Sequence, residues 1–220
     1  ELGVDPGRIA VLGFSAGGQA ALAAATGAPR FERADPTVSV RPDALLLLYP
    51  WRILADDGKG LRQVHAVDRH GRTAAWTGKN CVEWCGNVAA PGISVAGNML
   101  SGAPTIEETL RVFQANDAQS FVERLMRAME AGEAAGGDRR GRQSAAMVMV
   151  TTEDFPDLNI RVDDHAQPLG ELRRLLDIWR VEGVPRLESA PSKANPSGVT
   201  DLDAIEAGWI ARGLDLRLRR

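Results

Sequence analysis

SFVERLMRAMEAGEAAGGDRRGRQSAAMVMV, residues 120–150, decides how this chain folds. Phe121, Leu125 and Met129 recur at the spacing of one helix face, so residues 120–134 read as an amphipathic helix. Gly136-Gly137-Asp138-Arg139-Arg140-Gly141 then breaks it, and residues 145–150 form an apolar run of strand length. Working outward, Ile106, Leu110 and Phe113 mark a second helix over 106–116, and residues 159–163 a further strand. Pro168 opens a helix with leucines at 169, 172, 175 and 176. Upstream, 64–68 and 72–76 flank Arg69-His70-Gly71 as a hairpin, and 93–97 reads as another strand. Helices grouped between antiparallel strands argue for a layered α+β domain rather than a doubly wound one.

The first fifty residues have a different character. Ile9-Ala-Val-Leu-Gly13 is a short apolar strand that stops at Gly13-Phe14-Ser15-Ala16-Gly17, a G-x-S-x-G pattern. Good helix formers follow to Thr26, with Gly27 and Pro29 as stop signals. The fully apolar stretch 44–49 then completes a βαβ unit. Such a turn lifts Ser15 above a strand end at a helix N-terminus, where the N–H of Ala16 can face a developing oxyanion. The stretch from Val4 to Pro50 resembles the α/β-hydrolase esterases and lipases, and Ser15 takes the position of their nucleophile. The rest of their catalytic set is hard to find. The acid–base combination that follows is Asp163 or Asp164 with His165, the histidine standing next to its acid pair rather than on its own loop.

The segments Val67-Asp68-Arg-His-Gly71, Trp76-Thr-Gly78, Gly97-Asn-Met-Leu100, Ala131 through Ser144 and Arg161-Val-Asp-Asp-His165 resemble the domain-of-unknown-function family 1028, an Ntn-hydrolase-like family. The resemblance covers roughly residues 52–181 and implies an αββα sandwich, here incomplete at its N-terminal side. It also implies amide hydrolysis by an N-terminal Thr, Ser or Cys, whereas residue 1 is Glu. The expected organisation is therefore a βαβ fragment over 1–51, an Ntn-hydrolase-like domain over 52–182, and a linker with a short C-terminal helix over 183–220. Too small to bury a core alone, the front fragment should pack on the second piece.

Candidate binding residues follow from chemistry. Asn98, after a strand, can donate to an oxyanion; Gln143 and Ser144 can orient a substrate amide. Around Asp138, the guanidinium groups of Arg139 and Arg140 and the loop's N–H groups can hold a carboxylate. The plainer reading of that loop is a helix-to-strand connection with solvated arginines, and of His165 a capping residue. With 44% hydrophobic and 25% charged residues the composition is that of an ordinary globular chain. A net charge of −3 lacks the basic footprint of a nucleic-acid or anionic-membrane binder. The longest apolar run falls far short of the roughly 20 residues of a membrane helix. The cysteines, Cys81 and Cys85, match no zinc or C-x-x-C spacing, and His65, His70 and His165 are too scattered for a metal cluster. The expectation is thus a cytoplasmic protein without metal or cofactor, acting on or binding a small ester, amide or peptide-like molecule. Three functions stay open: a weak serine hydrolase through Ser15, an amide- or peptide-binding module with a pocket near Asn98 and Asp138, and an inactive fusion. Oligomeric state is open, a homodimer included.

Overall fold

The computed structural model describes residues 9–13, 57–67 and 70–214. Seven strands lie among them: β1 Ile9–Gly13, β2 Gln63–Val67, β3 Thr73–Thr77, β4 Gly86–Ala90, β5 Ile93–Gly97, β6 Ala145–Val150 and β7 Leu158–Val162. The helices are α1 Pro104–Ala115, α2 Phe121–Ala134, α3 Pro168–Ile178, α4 Val184–Ser189 and α5 Leu202–Ala211. All described strand pairs are antiparallel, which makes the chain α+β: β2 with β3, β4 with β5, and a three-stranded sheet in the order β1-β6-β7.

The core follows from two periodicities. On the β6–β7 pair, Ala145 faces Val162, Met147 faces Ile160 and Met149 faces Leu158, so one pleat face is entirely apolar. Val122, Leu125, Met126 and Met129 from α2 and Leu169, Leu172 and Leu176 from α3 pack on it. Met126, Met129, Met147, Leu172 and Leu176 are wholly buried. Phe113 brings α1 into the cluster, edge-on to Phe121 with 6.0 Å between ring centroids. The helices start where their chemistry allows. Ser120 caps α2 by accepting from the Glu123 N–H, Asp201 caps α5 by accepting from Ala204, and Pro104 and Pro168 sit in first turns, where a missing N–H costs nothing.

Two polar devices join elements of this frame. Gln63 bolts the hairpins together: its Nε2 lies 3.1 Å from Thr77 Oγ1, 3.0 Å from the Gly86 carbonyl and 2.9 Å from that of Gly97. Glu123, on α2, accepts from Arg127 of its own helix, from Arg173 of α3 and from Arg180 just beyond α3. Burial pushes this carboxyl up, but the hydrogen bonds from Arg180, Arg173 and Arg127 overcome it and hold it down at about 2.

Three features depart from the sequence reading. The strand β4 was not anticipated, because Gly-Asn-Val-Ala-Ala holds a single β-branched residue and no strand-like alternation of size. A wide π turn over Trp179–Gly183 prolongs α3 and leads into α4, which lies within the expected linker and whose Pro185 sits buried in its first turn. Proline in a first turn is compatible with a helix start, because its missing N–H would be unpaired there anyway. Thirdly, the described neighbour of β1 is β6, in antiparallel register with Ile9 opposite Val150 and Gly13 opposite Ala146. The helix and second strand expected over 16–49 lie outside the described residues.

Candidate functional site

The hairpin β4–β5 ends in a tight corner at residues 97–100. A Cβ on Gly97 would stand 2.6 Å from a methyl carbon of Leu100, so any other residue there would push the Leu100 side chain aside. Met99 adopts φ of 56°, a left-handed conformation that costs a non-glycine residue of order 1 kcal/mol. Backbone bonds hold it: the Met99 N–H donates to Val82 at 3.0 Å, the Leu100 N–H to Trp84 at 3.0 Å, and the Met99 carbonyl accepts from Arg139 at 2.9 Å. Asn98 is exposed at the apex, and its Nδ2 donates to Gln63 Oε1 at 3.2 Å. Gln63 thereby fixes the Asn98 side chain as well as the hairpins.

The loop after α2 docks on this corner. Leu100 and Asp138 form an isolated antiparallel bridge, and the Ser101 N–H donates to the Gly137 carbonyl at 3.0 Å. Gly136 and Gly137 carry φ of 128° and 59°, and a side chain on Gly136 would collide with Ser101 Oγ. Asp138 accepts from the Arg140 backbone at 2.8 Å and from its guanidinium at 3.0 and 2.6 Å. The Arg140 side chain is the main reason the Asp138 carboxyl lies below the ordinary range, with Arg139 adding a weaker Coulombic pull. The N–H groups of Gly136, Gly137, Arg139, Arg140 and Gly141 are all engaged within the protein. Arg142 pairs with Glu133. The loop is thus internally satisfied and presents Arg139, exposed, beside Asn98's corner.

A second group gathers where β7 runs out. The His165 N–H donates to the Gln143 carbonyl at 2.9 Å, and Gln143 Nε2 reaches Asp164 at 3.2 Å. His165 Nδ1 accepts from the Gln167 N–H at 3.0 Å, so this nitrogen carries no proton in that arrangement and Nε2 holds it in the neutral ring. Asp163 pairs with Arg161 at 3.0 Å. Ser144 lies between Gln143 and β6, partly buried. Ser15 and Ala16 lie outside the described residues. The predicted residues therefore fall into two clusters, Asn98–Asp138–Arg139–Arg140 and Gln143–Ser144–Asp163–His165. Gln63, Thr77 and Asn87, which are linked behind Asn98, were missed by sequence reasoning, since a glutamine in a strand carries no local signal of a partner 35 residues away.

Antiparallel strand pairs packed with helices, carrying a braced corner between a β-hairpin and a helix-to-strand loop, define an α+β protein. The chain belongs to the family of unknown function DUF1028, whose profile matches residues 51–172. The crystal structure of protein SPO2555 from Silicibacter pomeroyi, of the same family, is similar at 27% sequence identity, with a TM-score of 0.62 over 69% of this chain and 68% of that one. Among curated proteins none matches the chain. Neither similarity supports an α/β-hydrolase segment in residues 1–51. No described helix is long and apolar enough to cross a membrane.

Proposed function

We propose that the DUF1028 part of this chain is a small-molecule-binding module whose ligand, an amide- or peptide-type molecule bearing a carboxylate, sits at the corner of residues 97–100 against the loop of residues 137–140. The observation that carries this reading is the exposed Asn98 amide, held by Gln63 next to a left-handed Met99 and beside Arg139. Strain of that kind persists only where the surroundings over-determine it, and such positions cluster at ligand clamps. The Asn98 amide supplies a donor and an acceptor for a ligand amide, and the Arg139 guanidinium suits a carboxylate. In the same proposal the α+β arrangement is an incomplete Ntn-hydrolase-like αββα sandwich.

Titration of the 15N-labelled chain with N-acyl amino acids and dipeptides tests it. Amide signals of residues 98–101 and 137–140 should move together, and Asn98→Ala should weaken binding about tenfold, the loss of one well-placed polar contact. Shifts elsewhere only, or equal affinity in the variant, would refute it.

A second reading, serine hydrolysis through Ser15, is favoured by one topological fact. Because β1 and β7 both run antiparallel to β6, their C-terminal ends share one end of the sheet: Gly13 faces Ala146, which on its other side faces Arg161. Ser15 follows Gly13 by two residues, as Asp163 follows Arg161. For His165 to act as base, Nδ1 would have to leave the Gln167 N–H and turn to a carboxylate. A fluorophosphonate adduct lost in both Ser15→Ala and His165→Ala would establish this reading, and no adduct on the wild-type chain would remove it.

A further inference from the structure

The chain has two cysteines, and they flank the segment that braces the corner. Between Cys81 and Cys85, Val82 accepts from the Met99 N–H, and Trp84 exchanges backbone bonds with Leu100 at 3.4 and 3.0 Å. Both thiols are free and partly exposed. Cys85 Sγ donates to the Cys81 carbonyl at 3.8 Å, which by covalent geometry keeps it within about 6 Å of the Cys81 Cα atom. Cys81 Sγ lies 3.3 Å from the Arg62 carbonyl. Closing so short a segment carries little loop entropy, and the disulfide requires the Cys81 sulfur to turn from the Arg62 carbonyl toward Cys85, with the Cα atoms within roughly 7 Å.

We propose that Cys81 and Cys85 are a reversible dithiol–disulfide site, oxidised by hydroperoxides, whose disulfide clamps residues 82–84 and through them the backbone at Met99 and Leu100. The thiolate of Cys81 attacks the peroxide oxygen; the O–O bond breaks, the alcohol or water leaves with a proton, and Cys81 becomes a sulfenic acid. Cys85 sulfur then attacks the Cys81 sulfur, the S–S bond forms, and hydroxide departs with the Cys85 proton as water. Two thiols are oxidised by two electrons and one peroxide bond is reduced. Burial, with smaller contributions from Cys81 and Glu83, raises the Cys85 thiol and keeps it protonated, which leaves the first attack on the peroxide to Cys81. A consequence for ligand affinity rests on the binding reading above; formation of the disulfide does not.

The test is hydrogen peroxide treatment of the full chain, followed by alkylation and mass spectrometry without ligand. Trypsin leaves both cysteines in the peptide of residues 80–111. That peptide should become lighter by two hydrogen atoms, refuse alkylation at both positions and recover both on reduction with dithiothreitol. In Cys81→Ser and Cys85→Ser, each folded by circular dichroism, the same dose should leave the loss of two hydrogens absent and oxygen additions in its place. Hydrogen exchange at Met99 and Leu100 should slow on oxidation of the wild-type chain. Oxygen additions or intermolecular dimers as the main wild-type product would overturn the proposal, as would unchanged exchange at those amides for the clamp.

Discussion

Glu123→Gln tests the charge cluster between α2 and α3. The side chain is 12% exposed and receives three guanidinium groups, from Arg127, Arg173 and Arg180, that are 49%, 29% and 37% exposed. Lowering its carboxyl from 4.5 to about 2 corresponds to roughly 3 kcal/mol of preference for the charged form in the folded state. Because the arginines reach into solvent, screening reduces this to about 2 kcal/mol. The sign follows from linkage. A depressed carboxyl contributes its full stabilisation above 4.5 and loses it as pH falls toward about 2. Urea unfolding should therefore give a gap of about 2 kcal/mol between wild type and variant at pH 6, with about half of it gone by pH 3. Near pH 2 the two proteins should converge, since protonated glutamic acid and glutamine are near isosteres. A gap that stayed constant from pH 6 to pH 2 would refute the electrostatic account and assign the effect to packing.

Gly132→Ala should destabilise the chain by about 1 kcal/mol or more despite alanine's better helix propensity, because its methyl would enter the α1–α2 contact. There it would collide with Thr109 Oγ1 and stand 3.0 Å from the Thr105 carbonyl oxygen; thermal unfolding of this variant and of Gly132→Ala/Thr109→Ala, which should recover part of the loss, checks the point. The Asp138 carboxyl, followed by carbon NMR, should titrate below the ordinary aspartate range in the wild-type chain and move up in Arg140→Ala, while global stability changes little because the pair is partly exposed.

How much of this was legible follows from where the information sits. The helices α2 and α3 and the strand β6 repeat apolar residues at their own period, and Ser120 and Pro168 mark the helix starts, so local sequence suffices. The strand β4 and the helix α4 owe their form to neighbours. One is a small-residue strand paired to β5; the other continues α3 through a π turn in which a Cβ on Gly183 would stand 2.5 Å from the Trp179 ring. At the site, Asn98 and Asp138 were recognisable as polar residues at element ends. Their juxtaposition depends on the Leu100–Asp138 bridge, and the orientation of Asn98 on Gln63, both long-range pairings that no local pattern encodes. Trp209 carries no local signal in the sequence, yet it is only 6% exposed, on a helix α5 whose other residues are exposed or half-buried.

Three of the side chains fully withdrawn from solvent, Met126, Met129 and Met147, end in thioether sulfur. Methionine is flexible and polarisable, so this interior fits by adapting rather than by interlocking, and single isosteric replacements there should be absorbed. The same sulfurs are oxidisable only when peroxide reaches them. In the closed protein they are out of reach, so sulfoxide appearing at these positions would time the opening of the core and leave the surface thiols to be read on a separate clock.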